Sequence, residues 1–119
     1  MEISDAIAAL GALAQDSRLE AFRLLVQAGP DGLPAGEVAA RLKLPPNTLS
    51  FHFDRLRQAG LVTVRREGRS MIYAARFDTV NALLGYLTEN CCGGAPELCA
   101  PAACAGARQT PVRRKETAS

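Results

Sequence analysis

The stretch Pro46-Asn47-Thr48-Leu49-Ser50-Phe51-His52-Phe53-Asp54-Arg55-Leu56-Arg57-Gln58-Ala59-Gly60 decides how this chain folds. Leu49, Phe53 and Leu56 recur at helical spacing and mark an inward face. The opposite side carries Asn47, Thr48, Ser50, Phe51, Asp54, Arg55 and Gln58. Pro46 with Asn47 suits the opening of a helix and Gly60 a left-handed cap after Ala59, so one amphipathic helix is predicted here. Its outward residues are of the types that reach base edges and phosphates from a major groove.

Upstream, Pro34 opens a short helix to Leu42 with Val38, Ala39 and Leu42 inward, and Leu44-Pro45-Pro46 breaks the chain before the next. Earlier still, Ser4 or Asp5 caps a helix carrying Ile7, Leu10 and Leu13. Asp16 or Ser17 caps another with Leu19, Phe22, Leu25 and Val26 on one face, ended by Gly29-Pro30-Asp31-Gly32. Downstream of Gly60 the period changes to two. Val62 and Val64, then Met71 or Ile72 and Tyr73, predict two strands joined through Glu67-Gly68-Arg69. Asp78 caps a last helix, Thr79 to about Glu89, with Val80, Leu83, Leu84 and Leu87 apolar. Two short helices, a tight turn and a hairpin describe a mostly α fold with a β-hairpin wing, the winged helix-turn-helix. The first and last helices keep apolar stripes that a body of 119 residues cannot fully cover, which predicts a twofold dimer.

Charge points the same way. The net charge of +2 conceals eight basic residues between Arg41 and Arg76 against only Asp54 and Glu67, whereas residues 1–40 hold two arginines against six acids. A basic middle third on an acidic body is the footprint of a nucleic-acid surface. Asn47, Thr48, Ser50, Phe51, His52 and Arg55 on the helix, with Arg65, Arg66 and Arg69 on the wing, are the candidate contacts to double-stranded DNA. Phe51 either meets a thymine methyl or packs against a neighbouring helix. His52, the only histidine, is assigned to packing or to a phosphate contact.

All four cysteines, Cys91, Cys92, Cys99 and Cys104, follow the last helix, and the first ninety residues contain none. Such a cluster suits a soft metal or metalloid better than core packing. No apolar run approaches the roughly 18 residues of a membrane span, and the N-terminus lacks the basic flank of a signal peptide. A cytoplasmic protein with reduced thiols and no membrane partner is expected. From Gly93 the composition turns to Gly, Ala, Pro and Cys and ends basic and polar. The chain thus divides into 1–90 for DNA binding and dimerisation, 91–105 as a cysteine-rich metalloid-binding segment, and 106–119 as a flexible basic tail. An enzyme is not expected: no cysteine has an Arg at oxyanion-loop spacing, and no Gly-rich phosphate loop or paired carboxylate site is visible.

The run Leu10-Gly11-Ala12-Leu13-Ala14-Gln15-Asp16-Ser17-Arg18-Leu19 resembles the opening signature of the ArsR/SmtB family of metal-responsive repressors. So do Ser50-Phe51-His52-Phe53, Ala59-Gly60-Leu61-Val62 and Arg65-Arg66-Glu67-Gly68-Arg69 followed by Ile72-Tyr73, over about residues 5–90. The resemblance implies a homodimeric winged-helix repressor that leaves its operator when an inducer binds. Founding arsenic sensors of the family carry Cys-Val-Cys at the start of the third helix, where this chain reads Leu33-Pro34-Ala35-Gly36-Glu37. Zinc and cobalt sensors use Asp and His pairs along the last helix, which here has no His. Tyr86-Leu87-Thr88-Glu89-Asn90-Cys91-Cys92 instead resembles a subgroup of arsenite-responsive repressors with a terminal Asn-Cys-Cys and a further downstream cysteine.

The chemistry agrees with trivalent arsenic as inducer, antimonite included. Arsenite condenses with three thiols in a pyramid. Cys91 and Cys92 are adjacent, and Gly93-Gly94 lets the chain reverse so that Cys99 supplies the third. A tetrahedral zinc would also take Cys104. Cadmium, lead, redox sensing and an idle tail of thiols remain open on the residues. A redox sensor needs a thiol of lowered pKa, and no His or Lys lies within the cluster to lower it.

Overall fold

The computed structural model describes residues 1–90 of the chain. Cys91, Cys92, Cys99 and Cys104, the proposed segment 91–105 and the tail 106–119 lie outside the described residues.

Helix α1, Ile3–Leu13, begins two residues earlier than its sequence caps suggest, because the Glu2 N–H donates to Asp5 Oδ2 at 3.2 Å. Helix α2, Asp16–Ala28, is capped not by Asp16 or Ser17 but by Gln15, whose side-chain oxygen accepts from the Arg18 N–H at 2.8 Å. A glutamine at this position does the work usually given to shorter side chains. Helix α3, Ala35–Leu42, ends at Lys43, which takes the left-handed conformation with φ +56°. Helix α4, Pro46–Gln58, runs with Pro46 in its first turn, as its sequence predicts.

After α4 the Leu61 N–H reaches back to the Leu56 carbonyl and the Gly60 N–H to the Arg57 carbonyl, at 3.0 and 2.9 Å. This is the Schellman pattern, and Gly60 has the φ of +77° it requires. Leu56 and Leu61, the apolar pair that accompanies such a cap, are both fully buried.

The hairpin is formed by β2, Val62–Glu67, and β3, Ser70–Ala75, paired from Val62 opposite Ala75 to Glu67 opposite Ser70. The turn is therefore the two residues Gly68 and Arg69. Only Gly68 has positive φ, at +61°, as a type II′ turn asks of its first central residue. One strand has no counterpart in the sequence pattern. Leu33 and Pro34 form a two-residue β1 against Tyr73 and Ile72 of β3, giving a three-stranded antiparallel sheet in the order β1-β3-β2. Pro34, lacking an N–H, is tolerated because β1 is an edge.

Residues Met1–Asn81 form one compact unit, containing α1 to α4 and the sheet. Its interior is Ala6, Ala9, Ala21, Phe22, Leu25, Val38, Leu49, Phe53, Leu56, Leu61, Val62 and Ile72. The last helix, α5, runs Phe77–Leu87, and the second unit begins within it at Ala82. In that second unit Leu83 is buried while Leu84 and Leu87 are exposed, and Thr88 Oγ1 donates to the Leu84 carbonyl at 2.7 Å. On α1, Ile3, Ile7 and Leu10 are likewise exposed.

Gly32 permits the approach of β1 to β3. Its φ is +72°, and a Cβ there would lie 2.3 Å from the Tyr73 carbonyl oxygen. Gly32→Ala should destabilise the fold by about 2 kcal/mol or more, since both left-handed backbone and a fixed backbone atom oppose it. Gly36 lies in α3 with open space around it, so Gly36→Ala should be neutral or stabilise by up to about 1 kcal/mol. Urea unfolding of the two variants checks the contrast.

Candidate nucleic-acid interface

The inward face of α4 fixes its outward one. Leu49, Phe53 and Leu56 are fully buried, as their spacing predicts. Phe53 stacks on Tyr73 of β3, with ring centroids 4.1 Å apart and planes 22° from parallel. This holds the helix against the root of the wing. Asn47, Ser50, Phe51, Asp54, Arg55, Arg57 and Gln58 are then left exposed, with Thr48 half-buried. Phe51 is 58% exposed, which decides between its two sequence readings in favour of the open surface.

His52 is only 8% exposed. Of the two roles assigned to it, packing matches this burial, whereas a phosphate contact does not. Its partner is Arg18 of α2, whose guanidinium also donates from Nε to the Ala12 carbonyl of α1 at 2.7 Å. The Arg18 guanidinium approaches His52 Nδ1 at 3.4 Å. An arginine nitrogen can only donate, so Nδ1 accepts and the neutral ring carries its hydrogen on Nε2. Burial, and secondly the charge of Arg18, hold the His52 pKa below its ordinary 6.5. Arg18 thus joins α1, α2 and α4 at one point. Sequence reasoning gave it no role, because its partner is 34 residues away and no local pattern links them.

On the wing the three predicted arginines differ. Arg65 donates from Nε to Glu67 at 2.6 Å and from its terminal nitrogen to the Asp31 carbonyl at 2.8 Å, which pins the strand to the loop before β1. Arg66 reaches the Gly68 carbonyl at 3.3 Å. Arg69, in the turn, makes no side-chain hydrogen bond among the described residues, unlike its neighbours Arg65 and Arg66. Two further cations on this surface are already paired: Arg41 with Glu37 within α3, and Arg57 with Asp54 at 2.6 Å within α4. Arg55 has no carboxylate partner among the described residues and lies over the Phe51 ring, 5.6 Å from its centroid. No group of three or more His, Cys, Asp or Glu side chains among the described residues is placed to hold a metal. No helix there is long and apolar enough to cross a membrane.

An exposed polar helix behind a tight turn, backed by a hairpin whose tip carries Arg66 and Arg69 without carboxylate partners among the described residues, defines a winged helix-turn-helix DNA-binding domain. The helix-turn-helix domain family matches residues 13–65, from the end of α1 into β2. The transcriptional activator HlyU of Vibrio cholerae is 32% identical over 87 residues, covering 73% of this chain and 78% of that protein. A solved ArsR-like transcriptional regulator from Rhodococcus sp. RHA1 is similar with a TM-score of 0.63 at 25% identity, covering 71% of this chain and 77% of that one. So is the homodimeric winged helix-turn-helix DNA-binding domain of Mb0332 from Mycobacterium bovis, a possible ArsR-family regulator, with a TM-score of 0.60 at 25% identity over 74% of this chain and 82% of that one. The chain belongs to the ArsR family of winged helix-turn-helix transcriptional regulators.

Two outcomes follow from this geometry. Since the folded chain resists protonating His52 and the unfolded chain does not, this contribution to stability is complete above pH 6.5 and is lost as pH falls below it. Urea unfolding at pH 7.5 and 5.5 should show that loss. His52→Gln, which keeps an acceptor toward Arg18, should flatten it. On the wing, Arg66→Ala and Arg69→Ala should each weaken DNA binding and lower the salt slope by about one unit without altering stability. Arg65→Ala should also lower the unfolding midpoint, because it loses the tie to Asp31.

Proposed function

We propose that this regulator is an arsenite-responsive repressor of arsenic-resistance genes, released from its operator when trivalent arsenic binds Cys91, Cys92 and Cys99. The observation that carries the reading is the confinement of all four cysteines to the segment directly after the last helix. Trivalent arsenic takes three thiolates, and antimony of the same charge has the same demand. Three sulfurs drawn together there would tie that segment to the end of α5.

The working unit is a homodimer. Ile3, Ile7 and Leu10 on α1, and Leu84 and Leu87 on α5, are large apolar side chains left exposed. A twofold partner would cover exposed apolar helix faces of this kind and set two copies of α4 about one DNA turn apart on a palindromic site. Arsenic bound beside a dimerising helix would bias the spacing of the two reading helices. By linkage, operator DNA must weaken arsenic binding by the same factor. The alternative is a thiol repressor that answers cadmium, lead, zinc or oxidation at the same cysteines.

A titration of operator complex with arsenite, antimonite, cadmium and zinc separates these. Cys91→Ser, Cys92→Ser and Cys99→Ser should each bind DNA normally and resist release by arsenite, whereas Cys104→Ser should respond as the parent does. A requirement for all four would favour a tetrahedral zinc or cadmium site. Release by oxidant alone would favour the redox reading.

A further inference from the structure

The reading of α4 as the helix that enters the major groove leaves open which bases it selects. Two of its side chains form a unit that the rest of the surface does not repeat. Asp54, the only acid on the helix, is engaged twice, by Arg57 at 2.6 Å and by Gln58 Nε2 at 2.9 Å. Arg55 is therefore not drawn to it. The Arg55 guanidinium instead lies 5.6 Å from the centroid of the Phe51 ring, one helical turn earlier. That ring is in turn fixed from behind. It meets the buried His52 ring edge-on, with centroids 5.9 Å apart and planes 60° apart. An aromatic side chain 58% exposed, held between a buried ring and a free guanidinium, is a preset surface.

We propose that Phe51 and Arg55 act together as a base-reading pair that selects a guanine flanked by a thymine in each half of the operator. The inference rests on the assignment of α4 as the reading helix. A guanidinium is planar and forked, and it donates two hydrogen bonds to guanine O6 and N7. Contact with an aromatic face limits the rotamers available to it, so less freedom is lost on binding. A ring stacked beside a guanidinium that lies level with guanine occupies the level of the adjacent base pair. There the thymine methyl is the one apolar group on the major-groove edge, and Phe51 offers it an apolar surface. Arg57, tied to Asp54, supplies charge rather than this geometry.

The test uses the full chain. Duplexes selected from a randomised pool should contain guanine next to thymine in each half-site. In the selected duplex, replacing that thymine by deoxyuridine removes only the methyl and should weaken binding about fourfold per half-site. Replacing the guanine by 7-deazaguanine removes N7 and should weaken binding about tenfold. Phe51→Ala should lose the deoxyuridine effect and Arg55→Ala, which has no donor for N7, the 7-deazaguanine effect. The pair is refuted if wild-type protein does not distinguish thymine from deoxyuridine, or if Phe51→Ala still does. Asn47→Ala and Ser50→Ala tell the two levels apart. If they shift the selected bases while the Phe51 and Arg55 variants do not, only the pair falls. If no α4 variant shifts them, α4 is not the reading helix.

Discussion

The stack of Phe53 on Tyr73 is the contact from which the DNA-facing surface takes its form. Phe53 is fully buried, and burying a ring of that size contributes about 1.5–3 kcal/mol. It joins α4 to the middle strand of a sheet whose register is fixed along six pairs, from Val62–Ala75 to Glu67–Ser70. Helix α4 and the hairpin therefore share one root. A rotation of α4 that turned Phe51 inward would expose Phe53, Leu49 or Leu56, so the polar residues are presented outward by what the opposite face must hide. The same stack explains why the two-residue strand β1 matters. Leu33 pairs with Tyr73 itself, and the close approach at Gly32 brings the chain before α3 onto the same strand.

Arg18 adds a second constraint of a different kind. Its donors to the Ala12 carbonyl and to His52 tie the end of α1 to the buried edge of α4. A hydrogen bond from a charged group to a part-buried acceptor contributes about 1.5–3 kcal/mol, more than an exposed ion pair. Where α1 is a dimer helix, as proposed, this arginine is a direct polar link between it and α4. Neutral His52 suits the role, because a second positive charge beside the guanidinium would oppose the contact.

What the sequence revealed followed the range of the interactions. Leu49, Phe53 and Leu56 announced the buried face of α4 at helical spacing, and Gly60 its end, because both depend on neighbours within a turn or two. The hairpin was legible from Val62 and Val64 and from Gly68 for the same reason. Strand β1 was not, since two residues carry no period. Gln15 took the cap expected of Asp16 or Ser17, a choice between adjacent polar side chains that pattern alone does not make. Packing was one of the two roles the sequence left open to His52, but its contact with Arg18, 34 residues away, was not legible. Arg65 resembled its neighbours in sequence, and only the fold separated it, by placing the Asp31 carbonyl in reach.

The charge count of the middle third therefore overstates its uniformity. Arg41, Arg57 and Arg65 each have a carboxylate partner, and Lys43, Arg55, Arg66, Arg69 and Arg76 have none among the described residues. The three paired sites are all substantially exposed, where an ion pair contributes only about 0–1 kcal/mol. A DNA phosphate arriving at Arg41 or Arg57 could exchange for the carboxylate at little cost, so on the proposed reading these residues would add affinity. Three of the unpaired arginines divide by position instead. Arg66 and Arg69 stand at the wing tip, where charge and reach are what a phosphate or a narrow groove demands. Arg55 stands on the helix beside an aromatic ring, where orientation matters more than charge. On the proposed reading of α4, affinity and selectivity would fall to different arginines because of the contacts each one makes in the folded chain.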